Sequence, residues 1–232
     1  MPGHDNPAHH NGVMTDHIIV LPGGGYTDLS DGEAEPVADW LGGLGVSSSV
    51  FRYPVQTRHP GPLNAIRAEV RRVRTAGHER VGLLGFSAGG HAAGHATLAP
   101  SDPDPDAAAA ERVDLAILCY PVVSMELPTH ADSRRQLIGL DASPELRAAT
   151  SLDRLVTPSA PPFFVWHTAA DESVPVQHSY LLAHALADNG IPHALHVFSR
   201  GRHGLNLAVG EGDAEQWTAL CAAWLREERW IA

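Results

Sequence analysis

The stretch that decides the fold is GFSAGG, residues Gly85–Gly90. It follows a short apolar run, Arg80–Leu84, and leads into a run of small residues, Gly90–Ala96. The pattern predicts a buried strand, a tight turn that lifts Ser87 clear of a sheet, and a helix whose start favours a developing negative charge. The alternative is a glycine-rich turn that takes no part in catalysis, because in a chain with 22 glycines a single match to G-x-S-x-G can arise by chance.

A second glycine-rich loop follows a predicted strand near the N-terminus. The apolar run His17–Leu21 leads into Pro22–Tyr26, which contains three consecutive glycines. Glycines leave backbone amides uncovered, and a loop at this place supplies part of the oxyanion hole in serine hydrolases of this layout. The alternative is a flexible connector.

Two further strand ends carry an acid and a histidine. The run Pro162–His167 is followed by a loop with Asp171, and the run His193–Phe198 by a glycine-containing loop with His203. The order Ser87, Asp171, His203 is that of an α/β-hydrolase triad. A serine needs a base for its proton, and a carboxylate holds the imidazole in the working tautomer. The alternatives are a helix-capping aspartate and a surface histidine, one of 15 in the chain.

Together these segments resemble the small carboxylesterases of the α/β-hydrolase superfamily, in particular the acetylxylan esterase and feruloyl esterase-like group, which is related to the prolyl-oligopeptidase catalytic domain. Four stretches carry the resemblance: LPGGGY (21–26), GFSAGGH (85–91), WHTAADESVP (166–175) and FSRGRHGL (198–205). The resemblance implies that Ser87 is the nucleophile, Asp171 the acid and His203 the base. We expect His203 to bond to Asp171 and to reach Ser87.

The same resemblance places the oxyanion amides at Gly24 and Gly25 in the triple-glycine loop and at Ala88 after the serine. Relatives usually begin with extra strands before this loop, whereas residues 1–16 here are polar and rich in His, Asn, Gly and Pro. We therefore expect a weakly structured segment 1–16 and a reduced N-terminal hairpin.

Strand-like and helix-like segments alternate along the rest of the chain. This alternation predicts an α/β fold, with a mostly parallel central sheet and helices on both faces. Predicted strands are 17–21, 47–53, 80–85, 114–119, 162–167 and 193–198, and predicted helices are 33–44, 62–77, 88–99, 176–189 and 213–228. We expect a single α/β-hydrolase domain over 17–232 without a large cap.

Residues 124–161 form a connection longer than usual, where hydrolases of this fold insert lids. Short helices are expected near 133–140 and 143–149. This small lid-like insertion is interpreted as one wall of the substrate pocket, with Tyr26 and Pro121 as further candidate contacts. A short wall favours short acyl groups, and packing over the sheet is the alternative role.

Charge and histidine spacing bear on cofactors and partners. A net charge of −11 argues against nucleic acid and anionic membranes. His91 and His95 share a helix face, but the glutamate of an H-E-x-x-H zinc motif is missing, so no metal and no cofactor is expected. The expected partner is a small-molecule ester, and the sequence leaves open whether the chain forms a homo-oligomer.

The start of the chain lacks the basic and apolar pattern of a signal peptide, and no apolar run is long enough to span a membrane. A cytoplasmic location is therefore expected, with secretion from a precursor left open.

The features favour a serine carboxylesterase that hydrolyses short-chain, acetyl-type esters through an acyl-enzyme, with carbohydrate such as xylan as one acetylated substrate. An arylformamidase and a small-peptide serine peptidase of prolyl-oligopeptidase type stay open. A non-catalytic binding protein of the same fold is disfavoured because all three triad residues are present.

Overall fold

The computed structural model describes residues 16–128 and 130–231. Its strands are β1 (His17–Leu21), β2 (Ser47–Val50), β3 (Val81–Phe86), β4 (Leu115–Cys119), β5 (Phe163–Thr168) and β6 (His193–Phe198). They form one sheet in the order β2-β1-β3-β4-β5-β6, and every neighbouring pair is parallel. The four central strands are buried along their whole length. A parallel sheet covered on both faces produces such continuous apolar runs.

The helices of these residues cover both faces of the sheet. They are α1 (Glu35–Gly43), α2 (Gly61–Thr75), α3 (Ala88–Leu98), α4 (Pro105–Glu111), α5 (Ala131–Leu137), α6 (Pro144–Ala149), α7 (Leu152–Leu155), α8 (Gln177–Asp188) and α9 (Trp217–Glu227). One hydrophobic cluster joins the sheet to α2, α3 and α8, and the other joins it to α1 and α9. This arrangement confirms the predicted α/β fold.

Alternation along β1 shows how one strand serves both clusters. Ile19 and Leu21 belong to the cluster beneath α2, whereas Ile18 and Val20 belong to the cluster beneath α1. Successive side chains of a strand point to opposite faces, so an unbroken apolar run fills two layers at once.

Several predicted segments differ from the structure. The predicted strand 47–53 ends at Val50, and the predicted helix 33–44 begins at Glu35 after a 3-10 turn, Asp31–Glu33. Helices α4 and α7 were not predicted. Helix α4 buries none of its residues, so it has no apolar periodicity, and α7 is four residues long.

The insertion 124–161 holds three short helices, α5, α6 and α7, instead of two, and no larger cap lies within its described residues. His178 on α8 anchors its first part: Nδ1 accepts the amides of Val123 and Ser124, and Nε2 donates to the carbonyl of Pro128. Leu152 of α7 donates its amide to the carbonyl of Val123. The start of the insertion is therefore tied to α8, and α7 is tied to the segment that precedes the insertion.

The segment 1–16 lies outside the described residues except for Asp16, so its weak structure and the reduced hairpin stay predictions, as do the domain limits. Among the helices that are described, none combines the length and the apolar character that crossing a bilayer requires.

Candidate active site

A strained turn between β3 and α3 presents Ser87. Its backbone has φ 53° and ψ −116°, a combination that costs energy for a residue with a side chain. A Cβ on Gly85 would lie 2.2 Å from the carbonyl oxygen of Gly89, and a Cβ on Gly89 would lie 2.2 Å from that of Leu21. The G-x-S-x-G spacing is therefore a steric requirement of this turn.

The structure brings Ser87, Asp171 and His203 together in one hydrogen-bonded chain. His203 Nδ1 lies 2.6 Å from Asp171 Oδ2, and His203 Nε2 lies 2.8 Å from Ser87 Oγ. Since a carboxylate only accepts, Nδ1–H donates to Asp171, which leaves Nε2 free to accept the serine proton. This confirms the geometry expected from the sequence, and it is the arrangement that a general base needs.

Asp171 is held as an anion by four donors. Its Oδ1 accepts the amides of Ser173 at 2.8 Å and Val174 at 2.9 Å. Its Oδ2 accepts His167 Nε2 at 3.2 Å in addition to His203. Burial alone would raise the pKa of Asp171, but the hydrogen bonds from His167 and His203 hold that pKa well below its usual range.

His167 is a site residue that was not predicted from the sequence. Its ring is fully buried, with Nδ1 2.7 Å from Ser179 Oγ and Nε2 also 3.0 Å from the carbonyl of Val174. His167 therefore helps to fix the Asp171 carboxylate through Oδ2, the same oxygen that accepts His203. The available signal was a histidine at the end of a buried strand, four residues before the acid.

The triple-glycine loop lies against the elbow through Gly23, where a Cβ would be 3.0 Å from Ser87 Cβ. Gly24 has φ 135°, and its carbonyl accepts two amides farther along the loop, which closes a tight turn. Ala88 is the first residue of α3, where a backbone N–H has no acceptor within its own helix. The oxyanion role of Gly24, Gly25 and Ala88 stays a prediction.

The Gly23 amide is committed elsewhere, since it donates to Glu33 Oε2 at 2.8 Å. Glu33 is the first residue of the predicted helix 33–44, where an exposed acid is ordinary. The structure instead buries it, with 3% of its surface exposed.

The two candidate pocket residues are both buried. Tyr26 is 1% exposed, and its hydroxyl lies 2.7 Å from His91 Nδ1. Pro121 packs against α3: a Cβ added to Gly90 would lie 3.0 Å from the Cβ of Pro121. Contacts of Tyr26 and Pro121 with substrate stay predictions.

His91 is used for packing and hydrogen bonding in the core. Its Nε2 lies 2.7 Å from the carbonyl of Thr150, so Nε2–H donates there and Nδ1 accepts the Tyr26 hydroxyl. Across residues 16–128 and 130–231, no group of three or more His, Cys, Asp or Glu side chains could hold a metal ion.

The buried His91 makes stability depend on pH. Burial lowers the pKa of His91 to about 4, whereas an unfolded histidine has a pKa of about 6.5. Between these values the unfolded chain binds more protons, so stability falls as the pH falls from about 6.5 to about 4. Between pH 7 and pH 4.5, we expect the free energy of unfolding to fall by about 2–3 kcal/mol more in the wild type than in His91→Gln. Urea unfolding at the two pH values measures this difference. Gln offers one acceptor and one donor in place of the ring nitrogens, and equal losses would contradict the assignment.

Comparisons with known proteins place this site in a family. The sequence profile of the prolyl oligopeptidase family matches residues 63–229. Endo-1,4-beta-xylanase B of Butyrivibrio fibrisolvens is 36% identical over 218 residues, covering 88% of this chain and 34% of the relative. The acetylxylan esterase of Xylanibacter ruminicola is 27% identical over 223 residues, covering 90% of this chain and 45% of the relative. The chain thus spans less than half the length of these curated relatives.

One solved structure is covered over more of its own length than these two relatives are. The acetyl ester-xyloside bifunctional hydrolase from Caldicellulosiruptor lactoaceticus superposes with a TM-score of 0.89 at 39% identity, covering 94% of this chain and 85% of that one. These comparisons confirm the resemblance that the sequence motifs indicated. The chain belongs to the prolyl oligopeptidase family and has the α/β-hydrolase fold.

Proposed function

We propose that this chain is a serine carboxylesterase that hydrolyses short-chain esters through an acyl-enzyme. The observation that carries the proposal is the continuous hydrogen-bonded chain from Ser87 Oγ through His203 to Asp171. Relatives named as an acetylxylan esterase and an acetyl ester-xyloside hydrolase support ester hydrolysis over the peptidase activity that the family name suggests.

The geometry supports a two-step reaction. Ser87 Oγ attacks the ester carbonyl carbon while its proton passes to His203 Nε2. The proposed holders of the resulting oxyanion are the backbone amides of Gly24, Gly25 and Ala88. The imidazolium, stabilised by Asp171, then protonates the leaving alcohol as the C–O bond breaks. A water molecule that gives a proton to His203 then attacks the acyl-serine carbonyl. His203 returns that proton to Ser87 Oγ as the bond between Oγ and the acyl carbon breaks, which releases the acid and restores Ser87.

The proposed acyl group is short. The insertion 124–161 supplies only short helices, and part of it is anchored to α8 by His178. A deep tunnel would increase the binding free energy of long acyl chains by about 0.8 kcal/mol for each methylene that it buries. A short wall cannot bury the additional methylenes, so long acyl chains gain no such binding energy.

We expect acetyl to butyryl nitrophenyl esters to have the highest kcat/KM, with a steep fall by the octanoyl ester. The measurement is a series of nitrophenyl esters from acetyl to decanoyl under one set of conditions. A decanoyl value equal to or above the acetyl value would overturn the short-acyl proposal.

Carbohydrate esters such as acetylated xylan are proposed substrates on the strength of the relatives' names alone. The five tryptophans provide no sugar platform, because four are buried in the cluster beneath α1 and α9 and Trp40 packs against that cluster. Acetate release from acetylated xylan tests this part. Activity on simple acetates without acetate release from xylan would remove only the carbohydrate claim.

Two further substrates complete the test. Hydrolysis of an aryl formamide or of a small peptide faster than any ester would replace the esterase proposal. The small-molecule ester as partner and the cytoplasmic location stay predictions of the sequence.

A further inference from the structure

We propose that Glu33 is a positioning residue for the reaction: its buried carboxylate ties the triple-glycine loop to the loop of His203 through Tyr120. The inference rests on the proposed serine-hydrolase function of the site. It concerns a residue that touches neither substrate nor reacting atoms and acts through two segments that do.

The carboxylate joins two segments that are distant in the sequence. Glu33 Oε2 accepts the Gly23 amide at 2.8 Å, and Glu33 Oε1 accepts the Tyr120 hydroxyl at 2.7 Å. Both oxygens act as acceptors, as the ionised form of the side chain requires. Burial raises the pKa of Glu33, while the hydrogen bonds from Tyr120 and Gly23 oppose that rise.

Tyr120 carries the connection to the base. Its hydroxyl accepts the amide of Asn206 at 3.0 Å, three residues after His203. Its ring lies edge-on to the His203 ring, with centroids 5.0 Å apart and planes at 68°. The backbones of Tyr120 (φ 37°) and Asn206 (φ 55°) are in the left-handed region. Such strain persists where the surrounding contacts over-determine the conformation.

Close packing leaves little room for movement between Glu33 and the two loops. A Cβ on Gly23 would lie 2.7 Å from Glu33 Oε2 and 3.0 Å from Ser87 Cβ. A Cβ on Gly32 would lie 2.7 Å from the Asn206 side-chain nitrogen. A shift of the carboxylate is therefore transmitted both to the loop against the nucleophile and to the loop of the base.

The negative charge of Glu33 also contributes to the electrostatics around His203. The groups that face His203 are Asp171 from the β5–α8 loop, Ser87 from the elbow, Tyr120 from the end of β4 and, behind Tyr120, Glu33. The neighbouring Arg202 turns to the carbonyls of its own loop and to Glu211.

Within the part of the chain that the structure describes, no arginine forms an ion pair with Glu33. The carboxylate is therefore free to favour the imidazolium that forms when His203 takes the serine proton.

Glu33→Gln tests both contributions with little change in volume. The glutamine oxygen can still accept the Gly23 amide, but its NH₂ then faces the Tyr120 hydroxyl, whose proton loses its acceptor. We expect kcat on an acetyl ester to fall about 10–100-fold with KM within about threefold, because the loop and the base act on the transition state. The acid limb of the pH–rate profile should move to lower pH, because the imidazolium loses a nearby anion.

The matched control is Glu35→Gln, which removes an exposed carboxylate two residues along that pairs with Arg52 at the surface. It should behave as the wild type. The rate at which a fluorophosphonate labels Ser87 is measured on the same proteins. The labelling rate depends on the serine, the base and the triple-glycine loop and needs no ester substrate. Slower labelling of Glu33→Gln than of the wild type therefore supports the inference even if the wild type hydrolyses no ester.

Wild-type kcat and labelling rate in Glu33→Gln would overturn the inference, as would a loss seen in KM alone. If thermal melting shows that Glu33→Gln does not fold, Tyr120→Phe takes its place. That variant keeps the carboxylate and removes the connecting hydroxyl, so we expect the same loss of kcat and labelling rate. Wild-type rates in Tyr120→Phe would then overturn the proposal.

Discussion

Replacing Ser87 by alanine is expected to lower kcat/KM on an acetyl ester by about 10⁴-fold or more. The reason is that Ser87 Oγ is the only atom of the triad that forms a bond to the acyl carbon in the proposed reaction, and it lies 2.8 Å from the base. The side chain is buried, and among residues 16–128 and 130–231 its Oγ has no hydrogen-bond partner besides His203, so the melting temperature should stay close to that of the wild type. Ester hydrolysis and thermal melting measure the two effects.

The control is Ser101→Ala, which removes an exposed serine hydroxyl outside the site and should leave kcat/KM unchanged. A fluorophosphonate should label the wild type and Ser101→Ala but not Ser87→Ala. Residual activity of Ser87→Ala within tenfold of the wild type, or labelling at another residue, would remove Ser87 as the nucleophile.

Asp171→Asn is expected to lower kcat by about 10³–10⁴-fold near neutral pH. The amides of Ser173 and Val174 both donate to Oδ1, so the asparagine oxygen must take that position and its NH₂ must take the place of Oδ2. The NH₂ then donates to Nδ1 of His203, which forces the ring proton onto Nε2. A protonated Nε2 cannot accept the proton of Ser87, so the base is held in the wrong tautomer.

The NH₂ group would also face His167 Nε2, which donates to Oδ2 in the wild type and to the carbonyl of Val174. Some loss of melting temperature is therefore expected beside the loss of kcat. Glu172→Gln is the control, because Glu172 is the neighbouring, exposed carboxylate. A larger loss of kcat in Glu172→Gln than in Asp171→Asn would show that the acid has been assigned to the wrong residue.

Much of the fold was predictable because its strands are buried on both faces. The apolar runs that begin near His17, Val81, Leu115 and Phe163 became the four central strands within one or two residues. The edge strand β2 was predicted too long, because its half-buried sequence, Ser47–Val50, gives a weak signal. Helix α4 was missed because it buries nothing, although Asp104 caps it and Pro105 begins it.

The sequence by itself predicted the three residues of the hydrogen-bonded chain and their order. Each of these residues, Ser87, Asp171 and His203, follows a predicted strand. The carboxyl ends of parallel strands meet at one edge of a sheet, so their convergence was predictable. The glycines of the elbow were equally predictable, since a turn this tight leaves no room for a side chain.

The tertiary structure alone decided which buried polar groups support that triad. Glu33 and Tyr120 are 87 positions apart and meet through one hydrogen bond. The position of His167, four residues before Asp171 at the end of a core strand, was visible in the sequence, but its hydrogen bond to Asp171 was not. Apolar periodicity reports which face of an element is buried, but it does not report which polar atoms meet there. Those contacts depend on how loops from different strands pack at the sheet edge, and a buried carboxylate acquires its partners only when that packing is complete.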